Sequence, residues 1–495
     1  MRRIRFLLMA LFTVLALLLP SCALASTRAL LIACSEFSSQ PDLGTASSGN
    51  LHLIGSALIG ANPRLAVLSI EDGTIGTREA LADAVTDALG EADENDLSIL
   101  YLCTHGVLSS SDDGQVYLLL GDGETETPLS AQELFAVVSG IQGEKLVIVD
   151  ACYSGALIGR GIPAPSILLP GEIAEKRRPA APLTLPGDPS IHVLTSADGT
   201  ESSWYYDSEH LTTGALSYFA SAFATGLGLY GSAEADANGD GSVSLAEMQR
   251  YLNVAVPSSS SQLLSARADS VLLPTASSPM LSRPLTGFSY GSSLLLTDDP
   301  TLEFSFTAAQ KTAVQYRLID YDNGSWNWEE AQTFLDEGDD GSGLLAPGRK
   351  TRSLTLPQIS PEDSGYLMLQ VFSVTDGSLV LCSERLIAVQ PADSSAALSI
   401  SCKDSFAPGL GELPIRVDTG VPAELTISVL DESGVPVRRL AAGLLTRPTS
   451  DLSHLYWDGR DDSGSIVPSG RYTISVEARI GGARRKASCE VVIGA

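Results

Sequence analysis

Leu146-Val147-Ile148-Val149-Asp150-Ala151-Cys152-Tyr153-Ser154-Gly155 decides how the first half of this chain is read. Four consecutive apolar residues, two of them valine, make a strand buried on both faces, and such strands belong to parallel sheets covered by helices. The strand ends on an acid and a cysteine, then runs into small residues. In an open α/β sheet, chemistry sits beyond the carboxyl ends of the strands, which is where this thiol falls.

Working outward, the same texture recurs. Residues 28–33, 65–70, 98–103 and 191–195 read as further apolar strands, and 78–90, 130–139 and 213–225 as helices between them. Strands alternating with helices predict an α/β domain with a mainly parallel sheet in a three-layer αβα sandwich. Of five histidines (52, 105, 192, 210 and 454), only His105 closes an apolar strand and precedes a glycine, in Leu102-Cys103-Thr104-His105-Gly106. His192 sits within a strand and reads as a packed residue, and the other three as surface residues. A thiol is a weak nucleophile at neutral pH until an imidazole takes its proton or lowers its pKa. His105 precedes Cys152 by 47 positions, and caspases have the histidine about 50 residues upstream.

These two motifs together resemble those of the caspase, metacaspase, clostripain and legumain group of cysteine peptidases (clan CD). The resemblance covers about residues 28–255. It implies a caspase-like fold, a dyad of His105 and Cys152, and an oxyanion hole made by the amides of Gly106 and Cys152. Metacaspases usually have histidine after the nucleophile, whereas this chain has Tyr153. Period two puts Asp150 on the same strand face as Cys152. The resemblance to clostripain-like and metacaspase-like members implies that Asp150 binds Arg or Lys before the scissile bond, with Arg favoured by bidentate pairing. The alternative is a helix-capping role for Asp150. Asp198, after the fifth strand, is a second acid for that pocket. Lys176 and Arg177, in a Pro-rich stretch between the fourth and fifth strands, are candidate self-cleavage points. Cys34 and Cys103 end adjacent strands, as core thiols or as a disulfide.

Asp236-Ala237-Asn238-Gly239-Asp240-Gly241-Ser242-Val243-Ser244-Leu245-Ala246-Glu247 has the spacing of an EF-hand loop. Oxygen donors stand at Asp236, Asn238 and Asp240, a carbonyl at Ser242, and a bidentate acid at Glu247, so Ca²⁺ is the expected cofactor, in a structural role. No organic cofactor is expected.

The domain plan follows from composition. Arg2, Arg3 and Arg5 precede an apolar run from Phe6 to Leu19, and Ala23-Leu24-Ala25 offers a cleavage site. Residues 1–25 therefore read as a signal peptide, with lipoprotein processing at Cys22 as the alternative. The run is too short to span comfortably, since spanning takes about 20 residues. The peptidase-like domain is expected over 26–256 and a Ser/Pro-rich linker, packing partly on that domain, over 257–290. Two all-β immunoglobulin-like sandwiches are expected over 291–392 and 393–495. Asp363-Ser364-Gly365-Tyr366 looks like a tyrosine corner. Tyr456-Trp457-Asp458-Gly459 and Gly470-Arg471-Tyr472 resemble the immunoglobulin-like module named after the flagellar hook-cap protein FlgD. Cys402 and Cys489, at the two ends of that module, are a candidate disulfide.

A formal net charge of −28 and a pI near 4.4 argue against nucleic acid and anionic membranes as partners. No Gly-x-Ser-x-Gly elbow, His-Glu-x-x-His zinc motif or P-loop is present, which removes those catalytic classes. The reading is an exported endopeptidase acting on protein or peptide, periplasmic, cell-surface or extracellular, whose sandwiches engage surface glycan or protein. A catalytically silent scaffold and a transpeptidase are the rival readings.

Overall fold

Among the described residues, the first domain has eleven strands and five α-helices. The strands are β1 Thr27–Ala33, β2 Leu65–Asp72, β3 Leu97–Cys103, β4 Gly106–Leu108, β5 Val116–Gly121, β6 Glu126–Leu129, β7 Glu144–Asp150, β8 Ile191–Thr195, β9 Ser242–Ser244, β10 Gln262–Leu264 and β11 Leu272–Pro274. The helices are α1 Thr45–Ala61, α2 Arg78–Leu89, α3 Ala131–Ser139, α4 Tyr218–Gly226 and α5 Leu245–Ala255. The structure is a computed structural model and describes residues 25–62, 64–109, 115–159, 188–205, 216–276, 278–322, 325–356, 364–375, 378–408, 413–448 and 455–494.

The main sheet has the order β10-β8-β7-β3-β1-β2. Four of its five pairings are parallel, and at the edge β10 runs antiparallel to β8. Alternation along β1 sends Ala29, Leu31 and Ala33 to one face and Leu30 and Ile32 to the other. The first face is covered by α1, α4 and α5 through Leu51, Ile54, Phe219, Phe223 and Met248. The second is covered by α2 and α3 through Leu81, Val85, Leu134 and Phe135. Each fully buried Leu or Phe contributes about 1.5–3 kcal/mol to this layering. The result is the α/β three-layer sandwich expected, with the β4-β5-β6 meander inserted between β3 and β7.

Helix α1 has no clear signature in sequence. It is rich in Ser and Gly, and Gly44 before it supplies no side-chain cap. Packing makes the helix, with Asn50, Leu51, Ile54 and Ala57 all buried. The Ser/Pro-rich stretch after α5 supplies β10, the sixth strand of the main sheet, and β11, which pairs with β9.

Two β-sandwiches follow. The first pairs a three-stranded sheet (285–290, 301–308, 348–355) with a larger one built on 313–322, 365–375 and 378–390. The second pairs 399–402, 413–418 and 455–457 with 405–406, 483–493, 470–480, 424–430 and 436–445. Tyr366 does not form a tyrosine corner. Its hydroxyl pairs with Thr446 Oγ1 of the next domain at 2.7 Å. The corner geometry lies instead at Tyr472, whose hydroxyl donates to the Pro468 carbonyl four residues upstream (2.8 Å). Tyr472 also packs edge-on against the fully buried Trp457. No described helix is long and apolar enough to cross a membrane.

Candidate active site

Register brings the two motifs together. In the parallel pair β3–β7, Cys103 faces Asp150, so His105 and Cys152 each stand two residues beyond a paired position, on strands about 4.8 Å apart. The pairing continues past the strand ends, where the Thr104 amide donates to the Asp150 carbonyl (3.2 Å). Gly106 then lies against the Cys152 main chain so closely that a Cβ there would sit 1.8 Å from the Cys152 carbonyl oxygen. Only glycine fits at 106, for lack of room rather than for backbone freedom. Both amides assigned to the oxyanion hole therefore belong to backbone segments in contact.

His105 is half-buried and held by its ring. Phe37 packs edge-on at 4.8 Å, and Nε2 lies 2.7 Å from the Pro41 carbonyl oxygen. A carbonyl only accepts, so Nε2 carries the proton and Nδ1 keeps the lone pair of the neutral ring. Cys152 is also half-buried, with Sγ 3.7 Å from the Ser203 carbonyl oxygen. Tyr153 next to it has φ +59°, the left-handed region that costs a non-glycine residue about 1 kcal/mol. That turn breaks the chain away from the strand line into the short helical turn Ser154–Ile158. The loop 196–203 closes over it: Ala197 O accepts from Gly155 N (2.9 Å) and Glu201 O from Tyr153 N (2.8 Å).

Asp150 is 1% exposed. Its carboxylate accepts from Tyr101 (2.9 Å), Ser203 (2.9 Å) and Ser217 (2.5 Å) hydroxyls. Burial raises its pKa, and the hydroxyl donors oppose the rise. Ser217 is the N-cap of α4, so Asp150 buttresses a cap without being one. Ser203 touches both residues, through its hydroxyl at Asp150 and its carbonyl at Cys152. Asp198 accepts from the amide and hydroxyl of Thr200 (3.0 and 3.1 Å) and so braces the same loop.

The remaining thiols sort by face. Cys103 lies in the core beside α1 and Cys34 in the core beside α2, so the sheet separates them and they are free core thiols. Burial pushes the Cys34 thiol up to about 11 and Cys103 up to about 12. His192 is a fully buried structural residue between Glu144 (2.8 Å) and Ser265 (2.9 Å), and His52 is exposed. His210, His454, Lys176, Arg177 and Cys22 fall outside the described residues. Cys402 Sγ and Cys489 Sγ are 2.7 Å apart, on strands of opposite sheets.

In the 236–247 loop, Asp236 accepts from the amides of Gly239 (2.8 Å), Asp240 (3.2 Å) and Gly241 (2.9 Å). Asn238 accepts from Asp240 N and Asp240 from Ser242 N. Glu247 Oε2 instead accepts from the amide and hydroxyl of Ser244, both 2.9 Å, in a capping box that starts α5. The Asp236, Asn238 and Asp240 oxygens suit a hard cation, whereas Glu247 is turned to the helix. Among the described residues, no three His, Cys, Asp or Glu side chains close as a metal site.

Residues 15–164 match the CHAT domain family. Residues 404–482 match the FlgD Ig-like domain. No match is found among curated proteins. Similar solved structures include caspase-1 from Spodoptera frugiperda, at 14% identity and TM-score 0.31, covering 49% of this chain and 86% of that one. A second is pro-sf-caspase-1, at 14% identity and TM-score 0.26, covering 42% and 72%. An α/β domain that matches the CHAT model over residues 15–164 is followed by all-β domains, the last of which matches the FlgD Ig-like model.

Proposed function

We propose that this chain is an exported cysteine endopeptidase that cleaves after Arg or Lys. The contact of Gly106 with the Cys152 main chain carries the reading, because it joins two motifs distant in sequence at one strand-end crevice. Cys152 Sγ attacks the scissile carbonyl while Nδ1 of His105 takes the thiol proton. The Pro41 carbonyl supports this by holding the opposite ring nitrogen as the donor. The amides of Gly106 and Cys152 stabilise the oxyanion. His105 returns the proton to the leaving amine, and water then hydrolyses the thioester. Asp150 selects the cation before the scissile bond, its hydroxyl shell giving way to the guanidinium.

The 236–247 loop binds Ca²⁺ through Asp236, Asn238, Asp240 and the Ser242 carbonyl, and Glu247 joins by leaving its cap at a cost of about 1 kcal/mol. Ca²⁺ supplies no chemistry there and only stiffens the start of α5. The signal segment directs export, and the FlgD-like domain suits a surface or secreted enzyme. Cys402 and Cys489 form a disulfide in that setting.

One observation favours the silent-scaffold reading: Asp150 is sealed by three hydroxyls. A peptidyl-Arg acyloxymethyl ketone separates the two. Labelling that disappears in Cys152→Ala supports the peptidase, and no labelling of folded, Ca²⁺-loaded protein supports the scaffold. Product analysis with an added amine distinguishes hydrolysis from transpeptidation.

A further inference from the structure

The FlgD-like domain reaches into the first domain with a buried cation. Arg447, just after the strand 436–445, is 6% exposed. Its guanidinium donates to the carbonyls of Asn253, Val256 (2.9 Å), Pro257 (2.9 Å) and Ser259 (2.9 Å). Asn253 and Val256 stand at the carboxyl end of α5, where helix carbonyls lack intrahelical partners and the macrodipole is negative. One domain therefore supplies the C-terminal cap of another domain's helix. Burial lowers the Arg447 pKa, and the Glu201 carboxylate, acting through space, opposes that. A buried guanidinium bonded to main-chain oxygens is poor value for stability alone, since desolvation takes back most of the gain.

The segment that Arg447 holds leads to the candidate nucleophile. Ser259 Oγ donates to the Ser196 carbonyl (2.9 Å). The Ser260 amide and hydroxyl donate to the Glu201 carboxylate (2.7 and 3.0 Å). Glu201 in turn accepts from the Tyr153 amide through its carbonyl, and Ser203, two residues on, touches Cys152 and Asp150. Arg438 of the same domain donates to the carbonyls of Ser265 and Ala266, immediately after β10. Both arginines thus fix the stretch 253–266, which borders β8 and the loop beyond it.

We propose that Arg447 is a positioning residue for the Cys152 site, and that the C-terminal domain, far in sequence, sets the shape of loop 196–203 through Ser260 and Glu201. The domain is thereby part of the working site rather than an appendage. Arg447 acts on the geometry around Cys152, which extends the peptidase reading and can be measured without any peptide cleavage.

The test is alkylation of the full-length protein by iodoacetamide across a range of pH, with each cysteine followed by mass spectrometry. Cys34 and Cys103 are fully buried, and their protection reports that the first domain stays folded. In Arg447→Met the Cys152 alkylation rate should change about tenfold with a displaced pH profile while Cys34 and Cys103 stay protected, given that misplacement by about 1 Å can change rates about 100-fold. Arg447→Lys should recover part of the wild-type profile. Glu201→Gln, which keeps shape and removes the charge, should displace the profile in the same direction. It decides the matter if Arg447→Met exposes Cys34 and Cys103. A wild-type Cys152 profile in folded Arg447→Met, or in Glu201→Gln where the former unfolds, overturns the proposal. A displaced profile in a protein that cleaves no peptide keeps the positioning role and removes the peptidase reading instead.

Discussion

The strand-end crevice and the 236–247 loop make a useful contrast. The crevice takes its residues from segments about fifty positions apart, and sheet register aligns them: Cys103 faces Asp150, and Gly106 abuts Cys152. The loop takes its residues from twelve consecutive positions and has every diagnostic oxygen, yet Glu247 spends its carboxylate on Ser244. Contiguity in sequence does not ensure convergence in space. A parallel sheet does, because its hydrogen bonds fix several strand ends at once.

The comparison can be broken most severely at the crevice. Cys152→Ala should remove cleavage of an Arg-containing peptide by at least about 10⁴-fold, with Tm unchanged. Equal cleavage in the variant, followed by mass spectrometry, ends the role given to Cys152. Gly106→Ala should come next, with activity down by about 10³-fold, because Cβ cannot coexist with the Cys152 carbonyl and the oxyanion donor must move. A fully active alanine variant would show that the two motifs are looser than described.

Asp150→Asn should lower kcat/KM for Arg substrates by about 100-fold, or about 2.7 kcal/mol. Its stability effect has the opposite sign. Burial raises the Asp150 pKa above its unfolded value. Its contribution to stability is therefore complete below the unfolded-state pKa and is lost as pH rises through the folded-state pKa. At neutral pH the asparagine variant should melt no lower than wild type, and the difference should vanish in acid. Melting curves at several pH values check this, and a variant that melts lower at neutral pH contradicts the sign.

The loop offers a smaller effect. Ca²⁺ at 100 times its Kd should raise the stability of the first domain by about 2.7 kcal/mol, and Glu247→Gln should abolish the rise. Indifference of Tm to chelator removes the calcium assignment without touching the crevice. Reduction of a Cys402–Cys489 disulfide should leave cleavage unchanged and act only on the last domain, where the 87-position separation bounds the stability effect at about 4.6 kcal/mol and hydrogen exchange would localise it.

The five parallel strands of the main sheet are legible in sequence because apolar runs and β-branched residues need no partner to be recognised. His105 and Cys152 each follow such a run, and the β3–β7 register sets the two strand ends side by side. Helix α1 is not legible, since its Ser and Gly residues become helical only under Asn50, Leu51 and Ile54 packing. Tyr366 and Tyr472 both follow a glycine into a strand, and only the hydroxyl's partner shows that the corner lies at Tyr472. Nothing in the sequence marked Arg447, one of 31 basic residues, as the cap of a distant helix.

Local patterning by itself determined the five parallel strands, the α/β class of the first domain, the β class of the rest, and which residue types close which strands. These depend on the periodicity of burial, which a chain carries in its own residues. Tertiary structure alone decided the face each thiol occupies, the ring nitrogen that holds the His105 proton, the orientation of Glu247, and the reach of the last domain to loop 196–203. Each of those is a choice between partners of similar chemistry. Distance settles it, and distance exists only once the sheet and its neighbours have closed.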